Sequence, residues 1–159
     1  MTDLYLLRHA HAGNPDAWTG DDAERPLSAK GRGQAERLAR FLASVDLKLD
    51  AIVTSPKVRA RQTAEPVAAA LGVKYITDAR LASHVDETVM EAILNDAGGE
   101  RVMLVGHDPD FSDVAASLCG AADLPLKKGA LARLEAARPL KPSGASLRWL
   151  VPPDLLAGD

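Results

Sequence analysis

Short apolar runs alternate along this chain with longer segments in which apolar residues recur every three or four positions. The runs at residues 4–7, 51–53 and 102–105 carry no charged residue, which is typical of strands that are buried on both faces of a sheet. Weaker β-prone runs lie at residues 73–76, 130–134 and 146–151. The pattern therefore predicts about six strands.

Helical periodicity fills the segments between these strands. After Ser28, a favourable N-cap residue, one helical stripe contains Ala35, Leu38, Ala39 and Leu42. A second helix follows residues 51–53, and Pro66 is expected to kink or split it. Further helices are expected after the caps Asp86 and Asp108. Alternating strands and helices predict an α/β fold: one domain over residues 1–159, a three-layer sandwich with a mostly parallel central sheet flanked by helices.

The composition narrows the classes of partner. The chain has 159 residues, 47% hydrophobic and 26% charged, and a formal net charge of −3, which argues against a general nucleic-acid binder. Its one cysteine, Cys119, excludes an intramolecular disulfide. No secretory signal or membrane-length apolar run is visible, so we expect a cytoplasmic protein with neither a membrane nor a nucleic acid as partner.

Chemically versatile side chains follow three of the apolar strands directly. Parallel strands of an open α/β sheet end at one edge, where ligands usually bind. Arginine matches phosphate oxygens in a bidentate manner, and a neutral histidine among cations can attack phosphorus. A second, protonated histidine can stabilise the developing charge. Each residue alone is more often a surface cation or part of a capped helix end, but together they predict a phosphoryl site. The residues are Arg8, His9, Ser55, Arg59, Gly106 and His107.

Four segments in this order resemble the histidine phosphatase superfamily, which includes the phosphoglycerate mutases. They are residues 6–10 (LLRHA), 25–28 (RPLS), 55–63 (SPKVRARQT) and 106–109 (GHDP). The short length, RPLS and residues 149–153 (WLVPP) are similar to its small SixA branch of phosphohistidine phosphatases. The resemblance implies a phosphoglycerate mutase-like fold, His9 as nucleophile, a phosphate clamp of Arg8, Arg59 and His107, and no metal or other cofactor.

The proton donor is less well marked than the clamp. Larger members of this family carry an acidic residue after the third strand, whereas residues 80–84 (RLASH) contain no carboxylate. Asp22, three residues before the RPLS segment, is the first candidate. Asp108, Asp86 and His84 are alternatives.

Three functions remain open at this point. The preferred one is a phosphatase that uses a phosphohistidine enzyme intermediate and acts on phosphohistidine of a signalling protein, such as a histidine phosphotransfer domain. The second is a phosphatase of a small metabolite phosphate. The third is a binding module for phosphorylated ligands that performs no turnover. The intact His9 and clamp favour an enzyme.

Overall fold

The computed structural model describes residues 1–157 and contains one mixed six-stranded sheet. The strands are β1 (Thr2–Arg8), β2 (Ala51–Thr54), β3 (Tyr75–Thr77), β4 (Arg101–Gly106), β5 (Leu131–Ala136) and β6 (Ala145–Val151). Their order across the sheet is β3-β2-β4-β1-β5-β6. The first four of these are parallel neighbours, and β5 runs antiparallel to both β1 and β6. The predicted mostly parallel sheet is therefore confirmed.

Helices cover both faces of the sheet and complete the three layers. They are α1 (Ala29–Ser44), α2 (Val58–Leu71), α3 (Glu87–Ala97) and α4 (Asp110–Cys119). Alternate residues of β1 enter two different cores: Tyr5 and Leu7 pack with α1 and α2, whereas Leu4 and Leu6 pack with α3 and α4. This two-sided burial explains why the strand is apolar at successive positions. None of these helices has both the length and the apolar character needed to cross a bilayer.

The structure decides two local details. Helix α2 is not split at Pro66 but continues to Leu71, and buried residues on either side of Pro66, including Ala64 and Val67, pack in the core on that face of the sheet. Helix α4 has Pro109 rather than Asp108 at its N-cap. Asp108 instead accepts hydrogen bonds from the backbone N–H of Ser112, at 3.0 Å, and from its hydroxyl, at 2.6 Å.

The sheet register brings the three chemically important strand ends together. Arg8 pairs with Gly106 across β1 and β4, and Thr54 pairs with Val105 across β2 and β4. The next residue of the β2 end, Ser55, still donates its N–H to the carbonyl of Val105 at 2.9 Å. The residues that follow β1, β2 and β4 therefore share one edge, as parallel strands require.

Candidate active site

His9 follows the last residue of β1 and is only 6% exposed. Its backbone N–H donates to the carbonyl of Gly106 at 3.0 Å. Its Nδ1 lies 2.7 Å from the carbonyl oxygen of Ala10. Since a carbonyl oxygen accepts only, Nδ1 carries the proton. In the neutral ring, Nε2 therefore holds the lone pair, and it makes no hydrogen bond within residues 1–157.

Burial keeps this imidazole neutral. Desolvation, aided by the cations Arg59, Arg8 and Lys128, lowers the pKa of His9 from 6.5 to about 3, against the opposing effect of its backbone hydrogen bond. An uncharged ring with a defined tautomer is the form of histidine that acts as a nucleophile. At neutral pH, the end of β1 thus carries an uncharged imidazole with a free lone pair, the form in which a histidine can act as a nucleophile.

His107 follows β4 and lies beside His9, with the two ring centroids 5.3 Å apart. Its Nε2 is 2.8 Å from Oγ of Ser55. That oxygen also accepts the N–H of Lys57 at 3.2 Å, so its hydroxyl proton can be donated to His107. Burial, followed by the positive charges nearby, lowers the pKa of His107 to about 3. The ligand-free ring is therefore neutral, not protonated, but its buried Nδ1, which has no partner within residues 1–157, can carry an N–H donor.

Arg59 lies in the first turn of α2 and is 6% exposed. Its guanidinium donates to the carbonyl oxygen of Asp22 at 2.8 Å and to the carboxylate of Asp22 at 3.0 Å. The N-terminal end of a helix adds a partial positive charge to this corner. Arg59 is consequently a nearly buried cation whose visible partner comes from the loop that follows β1.

Arg8 is oriented from the opposite side of the site. Its Nη1 donates to the carbonyl of Leu126 at 2.8 Å and lies 3.4 Å from the carboxylate of Asp108. Asp108 is in turn fixed by Ser112. These contacts hold the guanidinium of the half-buried Arg8 in place. It has therefore lost much of its rotational freedom before any ligand binds.

Asp22, the first candidate for the proton donor, contacts Arg59 of the clamp, but its carboxyl group is ionised in the ligand-free site. Its carboxylate bridges two arginines, accepting from Arg25 at 3.1 Å and from Arg59 at 3.0 Å. These partners, Arg25 first, lower the pKa of Asp22 despite some desolvation. Arg25 is anchored by donating to the carbonyl of Ala12 at 2.7 Å. The side chain of Asp22 remains 55% exposed.

The alternative proton-donor candidates Asp86 and His84 make contacts away from the clamp. Asp86 caps α3 by accepting the N–H of Val89 at 2.9 Å. His84 is an exposed residue whose Nδ1 lies 3.0 Å from the carboxylate of Asp110. Neither makes a hydrogen bond to the nucleophile or the clamp within residues 1–157. Among the four candidates, Asp22 and Asp108 are the ones that touch a clamp arginine.

Thr63 is a site residue to which the sequence alone assigns no role. Its fully buried hydroxyl accepts the N–H of Ala10 at 3.0 Å and donates to the carbonyl of Arg59 at 2.7 Å. It therefore ties the nucleophile's loop to the helix that carries the clamp. A threonine that bonds back to its own helix is common. The partner 53 residues away is visible only in the folded chain.

The described part of the chain offers no group of three or more His, Cys, Asp or Glu side chains arranged to hold a metal ion. The clamp instead consists of two guanidinium groups and an imidazole, which are donors to anions and not ligands for a hard cation. The arrangement suits a phosphoryl group with an attacking histidine on one side.

Known proteins resemble this chain in sequence and in fold. An uncharacterized protein of Picosynechococcus sp. is 35% identical over 120 residues, which cover 73% of this chain and 72% of that protein. The protein histidine phosphatase SixA, solved with tungstate, superposes with a TM-score of 0.79 at 20% identity, covering 98% of this chain and 99% of SixA. A putative phosphohistidine phosphatase SixA from Agrobacterium tumefaciens gives 0.77 at 24%, with coverages of 94% and 97%.

These two structures establish the shared fold, with the sheet and helices in the arrangement described above. The family assignment comes from the sequence. The model of the histidine phosphatase superfamily (branch 1) matches residues 4–84, a stretch that includes His9, Asp22 and Arg59. The chain therefore belongs to the histidine phosphatase superfamily.

Proposed function

We propose that this protein is a metal-independent phosphatase that forms a phosphohistidine on His9 and acts on phosphohistidine carried by another protein. The observation that supports it best is the His9 ring itself. Its Nδ1–H is committed to the carbonyl of Ala10, 2.7 Å away, and its low pKa leaves Nε2 unprotonated. This is the state that a nucleophilic histidine needs at neutral pH.

In the first step, the lone pair of His9 Nε2 forms a bond to phosphorus while the bond from phosphorus to the leaving group breaks. Arg8 and Arg59 bind the phosphoryl oxygens, and Nδ1–H of His107 donates to one of them. The ring of His9 acquires positive charge as the N–P bond forms. The carbonyl of Ala10, already bonded to Nδ1–H, stabilises that charge.

Asp22 supplies the proton that the leaving group takes. When a phosphoryl group binds Arg59, Asp22 loses part of its bond to that cation and gains an anionic neighbour. Both changes raise the pKa of a carboxyl group. Substrate binding thereby moves Asp22 from the ionised state of the ligand-free site towards the protonated form that can act as a general acid.

In the second step, the same carboxylate takes a proton from an incoming water molecule. The water oxygen bonds to phosphorus, the N–P bond breaks, and its electron pair returns to Nε2 of His9. Inorganic phosphate then leaves the clamp. Asp22 is protonated at the end of this cycle and either serves the next substrate or releases its proton to water, so charge and atoms balance.

A protein-borne substrate is supported by the small amount of chain that surrounds the site. Between β3 and β4 the chain holds a short 3-10 turn, Ala79–Ala82, and α3. This leaves no additional domain to enclose a small molecule, and small-molecule sites are usually enclosed. An imidazole-bound phosphoryl group projecting from a protein surface needs less enclosure. The SixA-like fold of the chain points in the same direction.

Trapping the intermediate tests the chemistry. The protein is mixed with a ³²P-phosphohistidine domain and quenched in alkali within milliseconds to seconds. We expect alkali-stable, acid-labile label on wild type and on the exposed control His84→Ala, and none on His9→Ala. Label on another residue, or release of phosphate by His9→Ala at the wild-type rate, contradicts the nucleophile assignment.

A comparison of substrates tests the substrate class. The ratio kcat/KM is measured for the phosphohistidine domain, for phosphorylated sugars and for 3-phosphoglycerate. A preference for the protein supports the proposal. A clear preference for a small phosphometabolite leaves the His9 chemistry intact and identifies a metabolite phosphatase, whereas tight binding with no turnover of any substrate identifies a binding module.

A further inference from the structure

A basic cavity of about 460 Å³ shares one lining residue, Arg8, with the clamp. Its charged and titratable lining is Arg8, His11, Lys30, Lys127, Lys128 and Asp154. The steps described above use Arg8 alone among these residues. The other groups therefore form an unassigned extension of the site, which we call the basic subsite.

The basic subsite concentrates positive charge in a chain whose formal net charge is −3. Within residues 1–157, none of Lys30, Lys127 and Lys128 forms an ion pair. Against Arg8 and these three lysines, the part of the lining that the structure describes contains one carboxylate, Asp154. Clustered cations repel one another, and an anion from outside relieves that repulsion.

Hydrogen bonds hold the segment that contains Lys127 and Lys128 against the end of β1. The N–H of Gly129 bonds to the carbonyls of Arg8 and His9 at 3.1 and 3.0 Å, and Arg8 donates to the carbonyl of Leu126. The chain turns at Gly129 with φ of +84°, a conformation that favours glycine. These bonds hold the backbone of Lys127 and Lys128 beside the nucleophile.

The charges of the basic subsite reach the catalytic histidine. Burial is the largest cause of the lowered pKa of His9 and of His11; Lys128 adds to the lowering at both rings, and Lys30 adds to it at His11. The Nδ1 atom of His11 is held 2.6 Å from Oγ of Ser28, which leaves Nε2 as the ring nitrogen available to a ligand. An anion in this cavity and a phosphoryl group on the clamp would therefore lie within one continuous field.

We propose that the basic subsite binds a second anionic group of the substrate, a carboxylate or phosphate placed next to the phosphoryl group that His9 attacks. This inference rests on the proposed phosphatase function and names a substrate class for it: substrates that carry a second acidic group beside the phosphoryl group. Two sources carry this chemistry. One is an acidic side chain that flanks phosphohistidine on a protein, and the other is the carboxylate of a small phosphate ester.

Matched substrates separate the two sources. The first pair is a phosphohistidine peptide with glutamates flanking the phosphorylated residue and the same peptide with glutamines. The second pair is O-phosphoserine and O-phosphoethanolamine, which differ by one carboxylate. The measured quantity is the acid preference, the ratio of kcat/KM between the two members of a pair, in 20 mM and in 300 mM salt.

The variant that removes the charge is Lys30→Gln combined with Lys127→Gln. Its control is Lys74→Gln combined with Lys141→Gln, which makes the same charge change at two exposed lysines that do not line this cavity. We expect wild type and control to prefer the acidic member of at least one pair. We expect the acid preference to fall about tenfold in the subsite variant, the effect of two exposed ion pairs, and to weaken in high salt.

Preference confined to the peptide pair identifies a protein source, and preference confined to the small esters identifies a metabolite. Equal rates within both pairs, or an equal loss in the control variant, overturn the basic subsite. Calorimetric binding of the two small esters keeps the inference testable where turnover is absent. Failure to hydrolyse any substrate contradicts the proposed function, while the binding ratio still decides for or against the subsite.

Discussion

The carboxylate of Asp22 and the guanidinium of Arg59 are hydrogen-bonded at 3.0 Å, so the principal clamp arginine already holds an anion before a phosphoryl group arrives. Asp22 begins a short 3-10 turn, Asp22–Glu24, and its side chain is 55% exposed, whereas the side chain of Arg59 in α2 is 7% exposed. A phosphoryl group that binds Arg59, as we propose, would therefore displace or share an exposed partner of a buried cation. In that proposal, this contact couples phosphate binding to the protonation state of Asp22.

The first prediction concerns this carboxylate. Asp22→Asn keeps the size of the side chain but removes the proton that the leaving group needs. General acids contribute about 10²–10⁴-fold, and we expect a loss in that range for alkyl phosphates, with a much smaller loss for p-nitrophenyl phosphate. Steady-state kcat/KM for both substrates measures it. The neighbouring loop variant Glu24→Gln serves as the control, and equal losses on both substrates would remove Asp22 from proton transfer.

Removal of a clamp arginine should be costly whatever the leaving group. Arg59→Ala eliminates the buried cation that we propose binds the phosphoryl oxygens. We expect kcat/KM to fall by the factor that corresponds to a loss of about 3 kcal/mol or more of transition-state stabilisation, by analogy with oxyanion donors. The matched control is Arg61→Ala, two residues further along α2, whose guanidinium donates to the carbonyl of Pro56 at 3.2 Å. A loss below tenfold for Arg59→Ala contradicts the clamp assignment.

Catalysis should continue after exhaustive chelation. Arg8, Arg59 and His107 already provide the positive charge and donors that a phosphoryl group requires, so no divalent ion is needed for that purpose. We expect kcat/KM for p-nitrophenyl phosphate to change less than twofold after dialysis against EDTA and a second chelator. Activity that disappears and returns on adding Mg²⁺, Mn²⁺ or Zn²⁺ would disprove metal independence.

Two glycines of α1 should respond in opposite ways to alanine. A Cβ on Gly31 would lie 1.9 Å from the backbone carbonyl oxygen of His11, so Gly31→Ala must push the helix away from the loop that follows His9. We expect a loss of about 2 kcal/mol in unfolding free energy, within the range for overpacking, and reduced activity. At Gly33 the nearest atom is the flexible end of Arg37, 3.1 Å away.

Gly33→Ala should therefore gain up to about 1 kcal/mol from helix propensity. Urea denaturation of both variants measures the two effects. If Gly31→Ala is as stable as Gly33→Ala, α1 does not approach the backbone of His11 as closely as the structure shows.

The buried histidines should make stability depend on pH. His9 and His107 have a pKa of about 3 in the folded protein, against an ordinary value of 6.5. Between these values the unfolded chain binds more protons, so acidification favours unfolding. Each histidine should lower the unfolding free energy by up to about 1.4 kcal/mol per pH unit below 6.5 and contribute its full stability above 6.5.

The measurement is urea denaturation at several pH values between 5.0 and 7.0. We expect His107→Gln to reduce the slope of unfolding free energy against pH by the contribution of one histidine, up to about 1.4 kcal/mol per pH unit. An unchanged slope, or an imidazolium spectrum for His9 at pH 5 by nuclear magnetic resonance, would contradict the neutral buried pair.

Local sequence was sufficient to predict the strands, the main helices and the candidate site residues that gather at one edge of the sheet. Runs such as residues 102–105 could be recognised because a strand buried on both faces has no polar position, and the Ser28 cap could be recognised because a helix start needs a side-chain acceptor. Strand ends placed Arg8, Arg59 and His107 at one edge because parallel strands terminate together. None of these inferences requires knowledge of a contact distant in sequence.

The tertiary structure decided what depends on such contacts. Thr63 meets Ala10 across 53 residues, Ser55 meets His107 across 52, and Lys30 and Lys127 line one cavity although 97 positions separate them. The neutral state of His9 also comes from burial that no single segment provides. The sequence pattern determined which side chains lie at the edge where β1, β2 and β4 end, because periodicity and strand ends are local features. Packing alone decided the hydrogen-bond partners and charge states of those side chains, because hydrogen bonding and desolvation depend on neighbours brought in from the whole fold.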